Sequence, residues 1–413
     1  MKAGILAIGT ELLMGQTVNT NATYLSKQLN DLGIGVYYHY TIGDNPERIK
    51  KALRDMLETC DLIITTGGLG PTLDDITKEV IAETLGLEMI LDHRSLAIVK
   101  DHFKKFNRVM PESNIRQAYF PDGAIILDNE KGTAPACIVT LKEANQAIVV
   151  LPGPPRELKF LYEKYVKDFL SETNALKMHS VYLSVYDYGE SSAEETLMDL
   201  IKGQSNPTIA TYAGDGKVLI RVTSSGLTHD ENVDEVNRVV AEIKNRIGSF
   251  VVSEMGEDID QVVSNLLRDK GLKIAIVESC TGGKLTSALV KYPGASELLD
   301  VGIVTYSNTS KVRDVNVSHD TLQTYGAVSH QTCFEMVKGL IAKTGSDVGI
   351  SVTGVAGPTG GTLEKPVGLV YIGISIGGTI YTFENKFTGD RELIQNRCVI
   401  KALKLLYDYL IKM

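Results

Sequence analysis

The sequence predicts an α/β protein in three parts: a three-layer α/β/α domain over 1–172, a small α+β domain over 173–252, and a second α/β/α domain over 253–413. Three observations carry this. Short apolar, β-branched runs alternate with stretches of helical composition at both ends of the chain, the pattern of parallel strands covered on both faces. Glycine-rich turns follow two of those runs, at the carboxyl ends of strands where α/β sheets bind ligands. From about Lys177 to Phe250 the runs instead alternate polar and apolar residues, as antiparallel strands do.

At 413 residues the chain is too long for one core, since single cores seldom grow past about 250 to 300 residues. Its 43% apolar and 23% charged residues are those of a globular protein. No apolar stretch approaches the roughly 20 residues that span a bilayer. Met1-Lys2-Ala3-Gly4-Ile5-Leu6 enters a strand with no small-residue cleavage site, so a cytoplasmic location is expected. A net charge of −9 argues against general nucleic-acid binding, which needs clustered lysine and arginine, but leaves room for a phosphorylated small molecule. Cys60, Cys137, Cys280, Cys333 and Cys398 are scattered without a C-x-x-C pair, which argues against zinc and a disulfide framework.

Taken in order, Ala3–Ile8, Gly35–Ile42 and Asp61–Thr65 read as strands, with helices over Asn19–Leu32 and Pro46–Thr59 between them. That order predicts right-handed crossovers and a parallel sheet. The loop from Thr65 through Gly67, Gly68, Gly70 and Thr72 leaves a buried strand and opens a helix around Asp74. Its backbone N–H groups can wrap phosphates. Asp74 and Asp75 have two readings: helix caps, contributing about 1 kcal/mol, or carboxylates that hold a divalent cation against a pyrophosphate.

In the middle segment, His179–Val185 and Val218–Ser224 read as strands, and Ser191–Ile201 and Asp230–Ile247 as helices. The loop Gly214-Asp215-Gly216 lacks the Gly-x-x-Gly clamp and basic surroundings of a nucleic-acid module, so a spacer or dimer contact is expected.

Glu257–Lys270 opens the last part as a helix. Lys273–Val277 is a buried strand, Glu278-Ser279-Cys280-Thr281-Gly282-Gly283 a tight turn, and Lys284–Lys291 a helix. Ser279 thus sits at a strand's carboxyl end, with glycines that let N–H groups approach a developing oxyanion. Serine needs a base. His319 and His330 are candidates, though each stands where a polar residue commonly caps a helix. Gly302–Tyr306 reads as the next strand, with Lys311 a helical turn beyond it. A lysine whose pKa is lowered by burial can take the proton, and the Tyr306 phenol can orient or relay it. Cys280 is the stronger intrinsic nucleophile, but alternation turns it away from Ser279 and into the core. Asp347–Thr353 is another buried strand, Gly357–Pro366 a lid-like turn, Val367–Ile376 and Thr379–Phe387 a hairpin across Gly377-Gly378, and Arg391–Lys412 a closing helix.

Several blocks carry a resemblance. Glu278 to Gly283, Tyr306-Ser307-Asn308 with Lys311, Gly326 to Ser329, Ser351 to Pro358 and Lys365 to Gly368 occur in order. Together they resemble the carboxyl-terminal domain of the CinA (competence/damage-inducible) family, whose stand-alone forms are nicotinamide mononucleotide deamidases. The resemblance implies that Ser279 attacks the carboxamide with Lys311 and Tyr306 assisting, without a cofactor, giving nicotinate mononucleotide and ammonia. It also implies a substrate site around Thr281, Gly282, Gly283, Asn308, Thr353, Gly354 and Arg391.

Gly9 to Leu13 with Thr10 and Glu11, Asn19 to Ala22, Thr66 to Thr77, Gly132-Thr133-Ala134-Pro135, and Leu151 to Pro155 with Pro152 and Gly153 resemble the molybdopterin-binding MoaB/MogA-like domain of the same family. Asp74 stands where the molybdopterin enzymes are usually basic, and Ala136 where many relatives carry glycine. For CinA proteins the resemblance implies a metal-dependent ADP-ribose pyrophosphatase yielding AMP and ribose 5-phosphate. Asp74 and Asp75 would be at its divalent metal ion, and Thr10, Glu11, Asn19, Gly67, Gly68, Gly70, Thr72, Thr133, Pro152 and Gly153 at its substrate. The middle segment resembles the family's KH-like module, and a homodimer is expected. A non-catalytic competence or DNA-damage factor, or a pterin-nucleotide binding protein, is the alternative.

Overall fold

The computed structural model describes residues 1–105, 107–173, 178–214, 216–226 and 228–413. It forms two compact units, Met1–His179 with Ser224–Val233, and Ser180–Thr223 with Asp234–Met413. Among the described residues no helix is long and apolar enough to cross a membrane.

The first unit contains β1 (Lys2–Ile8), β2 (Gly35–Ile42), β3 (Leu62–Thr66), β4 (Met89–Leu91), β5 (Tyr119–Pro121), β6 (Ile125–Leu127), β7 (Ala136–Leu141) and β8 (Gln146–Leu151). Six of them form one sheet in the order β2-β1-β3-β8-β7-β6, while β4 and β5 pair separately. β1 is parallel to β2 and β3, and β3 to β8, but β7 runs antiparallel to both β8 and β6. The wholly parallel sheet expected from the sequence is therefore mixed. Only Lys142 to Asn145 join β7 to β8, with Asn145 left-handed at φ 52; so short a link permits a hairpin and no parallel crossover.

Strand alternation sends successive residues to opposite faces. On β1, Ala3 and Ile5 pack with Leu25, Leu29 and Leu158, and Leu6 and Ile8 with Ile49, Leu53 and Ile81. The helix Pro46–Leu57 shows how the flanking layers arise. Proline opens it, the Asn45 side chain accepts the N–H of Arg48, and Ile49, Ala52, Leu53 and Met56 form its buried stripe.

A four-stranded sheet, most of it in the second unit, is made of β9 (Met178–Tyr186), β10 (Thr208–Gly214), β11 (Lys217–Ser225) and β12 (Val251–Ser253), ordered β10-β11-β9-β12. Leu183, Val185, Ile220 and Val222 face Leu197, Val236 and Ile243 of two helices. Asp215, singled out between Gly214 and Gly216, lies outside the described residues.

The same unit contains β13 (Ile274–Glu278), β14 (Leu299–Val304), β15 (Val348–Gly354), β16 (Leu369–Ile376) and β17 (Thr379–Lys386), ordered β14-β13-β15-β16-β17. The fully buried β13 lies parallel to β14 and β15, and β16 and β17 add antiparallel. Ile274 and Ile276 pack under the helix Arg391–Leu410, while Ala275 and Val277 meet Val315, Met336 and Leu340 on the other face. β13 is thus held on both sides and along both edges, and it ends at the residue before Ser279.

Candidate active sites

Ser279 opens a turn in which the Gly282 N–H donates to the Ser279 carbonyl (3.2 Å) and the Lys284 N–H to that of Thr281 (3.2 Å). Gly282 and Gly283 take left-handed backbone, φ 62 and 99, which admits glycine readily and few other residues. A Cβ on Gly282 would meet open space, so its glycine is required by conformation alone. The next strand, β14, ends at Val304, earlier than the Tyr306 expected; the Thr305 N–H makes its last ladder bond, to the Glu278 carbonyl (2.8 Å). The helix Asn308–Val315 then starts, capped by Ser307, and carries Lys311 inward.

Lys311 Nζ lies 3.0 Å from Ser279 Oγ and donates to the Thr305 carbonyl at 2.7 Å. The lysine is 1% exposed and the serine 8%. Burial disfavours the ammonium, and the Lys311 pKa falls to about 8. No hydrogen bond joins His319 or His330 to Ser279 among the described residues. His319 is an exposed first-turn residue, and His330 sits against Tyr371 and Thr382. Cys280 is buried beside Cys398 in the core, with its carbonyl held by Gln395 (2.7 Å).

Tyr306 stands apart from this pair. It is exposed, and its hydroxyl accepts from Arg391 (2.9 Å), whose other terminal nitrogen donates to the Gly357 carbonyl (2.6 Å). Among the described residues none of its hydrogen bonds reaches Ser279 or Lys311. Asn308 is exposed at the start of its helix. The Thr353 hydroxyl donates to the Ala327 carbonyl (2.7 Å), and a Cβ at Gly354 would come within 2.7 Å of the Leu369 carbonyl, which explains that glycine by strand packing. Thr281 is buried with its hydroxyl unpartnered among the described residues.

In the first unit, a cleft of about 600 Å³ opens at the carboxyl ends of β1, β3 and β8. Of the residues singled out in the sequence, Glu11, Asn19, Gly67, Gly68, Gly70, Thr72, Asp74, Asp75, Thr133, Pro152 and Gly153 line it. Thr10 does not; its N–H and hydroxyl donate to Asp44, which does. Gly67 has φ 104, and a Cβ there would fall 2.0 Å from the Ile8 carbonyl. The helix expected around Asp74 begins at Thr77. Asp75 caps the turn before it, accepting from the Thr72 N–H (2.9 Å) and hydroxyl (2.6 Å), and Asp74 stays in the exposed turn.

The amino-acid sequence is 47% identical over 412 residues to a competence-damage inducible protein of Clostridium novyi (strain NT), covering 100% of this chain and 99% of that one. The chain belongs to the CinA family. A protein of Acetivibrio thermocellus with the same description is 44% identical over 100% of both chains, and a CinA-like protein of Dictyoglomus thermophilum is 46% identical over 98% of both. Family models match as a probable molybdopterin binding domain at residues 4–172, a damage-inducible protein CinA KH domain at 180–253 and a CinA C-terminal domain at 256–410.

In this CinA-family chain the cleft's charge is one-sided. Glu11, Asp44, Asp74, Asp75 and Glu157 line it, with no lysine or arginine among the lining residues. Among the described residues no group of three or more His, Cys, Asp or Glu is assembled to hold a metal ion. The donor set suits a hard divalent cation that takes one or two carboxylates and completes its shell with water and phosphate. Several supporting residues were not picked out from the sequence. Arg116 ties down the acidic turn by donating to the carbonyls of Thr72 (2.9 Å) and Asp75 (3.2 Å). Lys78, buried behind the cleft with its pKa lowered to about 8 by desolvation, donates to the Gln117 carbonyl (2.8 Å). In the carboxyl-terminal site the roles of Glu278 and Thr305 beside the reacting pair were not foreseen, although both stand in motifs the sequence singled out, and Gln395 of the last helix carried no sequence signal.

Proposed function

We propose that the carboxyl-terminal domain hydrolyses the carboxamide of nicotinamide mononucleotide. The observation that carries this reading is the buried Lys311 amine 3.0 Å from Ser279 Oγ, with a pKa lowered to about 8. Neutral Lys311 accepts the Ser279 proton as Oγ attacks the carboxamide carbon. The amide N–H groups of Cys280 and Thr281, which have no acceptor among the described residues, are the uncommitted donors of the turn offered to the oxyanion. The Lys311 ammonium then protonates the departing amine, and ammonia leaves an ester on Ser279. Water, deprotonated by Lys311, cleaves that ester to nicotinate mononucleotide and regenerates the serine. Arg391, with Tyr306 beside it, would meet the substrate phosphate.

The amino-terminal domain fits a metal-dependent pyrophosphatase acting on ADP-ribose to give AMP and ribose 5-phosphate. Five carboxylates facing a dianionic pyrophosphate repel it unless a cation intervenes. Asp74 and Asp75 would hold that cation, which when bound offsets the phosphate charge and polarises the bond to be cleaved. Gly67, Gly68 and Gly70 let the loop fold tightly along the cleft, since a Cβ there would fall 2.0 Å from the Ile8 carbonyl, 2.1 Å from Thr77 Oγ1 and 2.4 Å from Asp75 Oδ2. Both substrates belong to pyridine-nucleotide turnover, a cytoplasmic setting, and we place the working unit as a homodimer on the frequency of symmetric dimers.

The test is ammonia release from nicotinamide mononucleotide by wild type and by Ser279→Ala. Release that is lost in the variant supports the reading. Equal release by both removes the nucleophile, and none from either removes the activity.

A further inference from the structure

Glu278 is 0% exposed, yet it carries a carboxylate next to the proposed nucleophile. Leaving a carboxylate in such a place without partners is costly. Four donors surround it. The N–H groups of Gly283 and Leu285 donate to one oxygen at 3.0 Å each, and the Thr286 N–H (2.8 Å) and hydroxyl (2.7 Å) donate to the other. This has two consequences. The N–H of Gly283, a natural oxyanion donor from sequence alone, is already committed. The chain between Glu278 and Gly283 is pinned at both ends, so Ser279, Cys280, Thr281 and Gly282 form a loop of fixed span.

The backbone of the same residue reaches the base. The Glu278 carbonyl accepts the Thr305 N–H at 2.8 Å, and the Thr305 carbonyl accepts Lys311 Nζ at 2.7 Å. One buried residue therefore sets the position of the serine through its side chain and that of the lysine through its main chain.

We propose that Glu278 is a positioning residue for the Ser279–Lys311 pair: its carboxylate clamps the far end of the nucleophile turn and leaves the Cys280 and Thr281 N–H groups as the free donors. The proposal rests on the deamidase reading for its substrate, but not for its test. Glu278→Gln keeps the shape and replaces one acceptor oxygen by an NH2 group, which faces N–H donors and repels them. A displacement of about 1 Å in a reacting group can lower a rate by about 100-fold.

Two readouts are taken on the full chain. The first is the rate and final stoichiometry of Ser279 labelling by a sulfonyl fluoride. The second is ammonia release from nicotinamide mononucleotide. Glu278→Gln is expected to label to the same final stoichiometry as wild type, at a rate lowered about 10- to 100-fold, with kcat falling in proportion and KM changing less than about 3-fold. Labelling at the wild-type rate overturns the proposal, whether complete or reduced in stoichiometry, since reduced stoichiometry alone means only that less protein is folded. If Glu278→Gln does not fold, Thr286→Val removes one of the four donors. It is expected to slow labelling by a few-fold at full stoichiometry, and an unchanged rate overturns the proposal. Absence of ammonia release by wild type, with labelling slowed in the variant, would defeat the substrate assignment and leave the positioning role standing.

Discussion

Replacing Lys311 by arginine separates its charge from its chemistry. Arginine keeps N–H donors for Ser279 and the Thr305 carbonyl, but it stays protonated and cannot take a proton from serine. The native amine titrates near 8 because burial disfavours its charged form. At pH 7 about one molecule in ten then carries a neutral amine, against about one in three thousand for a solvated lysine at 10.5. The site therefore gains roughly 300-fold in competent enzyme from desolvation alone. The wild-type kcat/KM for nicotinamide mononucleotide should climb about tenfold per pH unit below pH 8 and level off above it. Lys311→Arg should lie about 10²- to 10⁴-fold lower throughout and lose that limb. A rate flat between pH 6 and 9 would refute the reasoning, and a limb near 6.5 that survives Lys311→Arg would refute it and point to a histidine such as His319 or His330.

The same titration has a stability signature. The folded pKa lies below the unfolded one, so between about pH 8 and 10.5 the unfolded chain binds more protons and stability rises with pH. Lys311→Met lacks this term, so its stability advantage over wild type should shrink by about 3 kcal/mol from pH 7 to pH 10.5 in urea titrations. Gly339→Ala should destabilise by about 1–3 kcal/mol, although alanine favours helix by about 1 kcal/mol. A Cβ there would fall 1.8 Å from the Val315 carbonyl, at the end of the helix that carries Lys311, and thermal melts read the loss. Asp75→Asn should abolish divalent-metal-dependent hydrolysis of ADP-ribose while leaving ammonia release intact, as measured by paired assays with and without chelator.

Local pattern made much of this molecule legible. The runs of Lys2–Ile8 and Ile274–Glu278 and the Gly377-Gly378 hairpin all encode themselves within a few residues. Errors came where distant partners decide. β10 is a mostly exposed edge strand whose residues have little apolar signal. β14 is also an edge, and Asp300 within it reads as a break until one sees that its alternate residues face solvent. The helix after the acidic turn starts later than Asp74, in a turn whose Thr72 and Asp75 carbonyls are taken by Arg116, some forty residues on. The pairing of Ser279 with Lys311 could be drawn from strand ends and helix spacing. The burial that lowers the lysine's pKa could not, because lysines are ordinarily solvated. Nor could the separation of Tyr306 from that pair, which depends on Arg391 arriving from the last helix.

The most direct measurement is rapid-quench mass spectrometry of the peptide containing Ser279 during turnover of nicotinamide mononucleotide. The account predicts a nicotinoyl nucleotide ester on Ser279 that forms before ammonia release reaches steady state and is absent from Ser279→Ala. Steady ammonia release with Ser279 unmodified at every time point, including at acidic quench where the ester is stable, would contradict it.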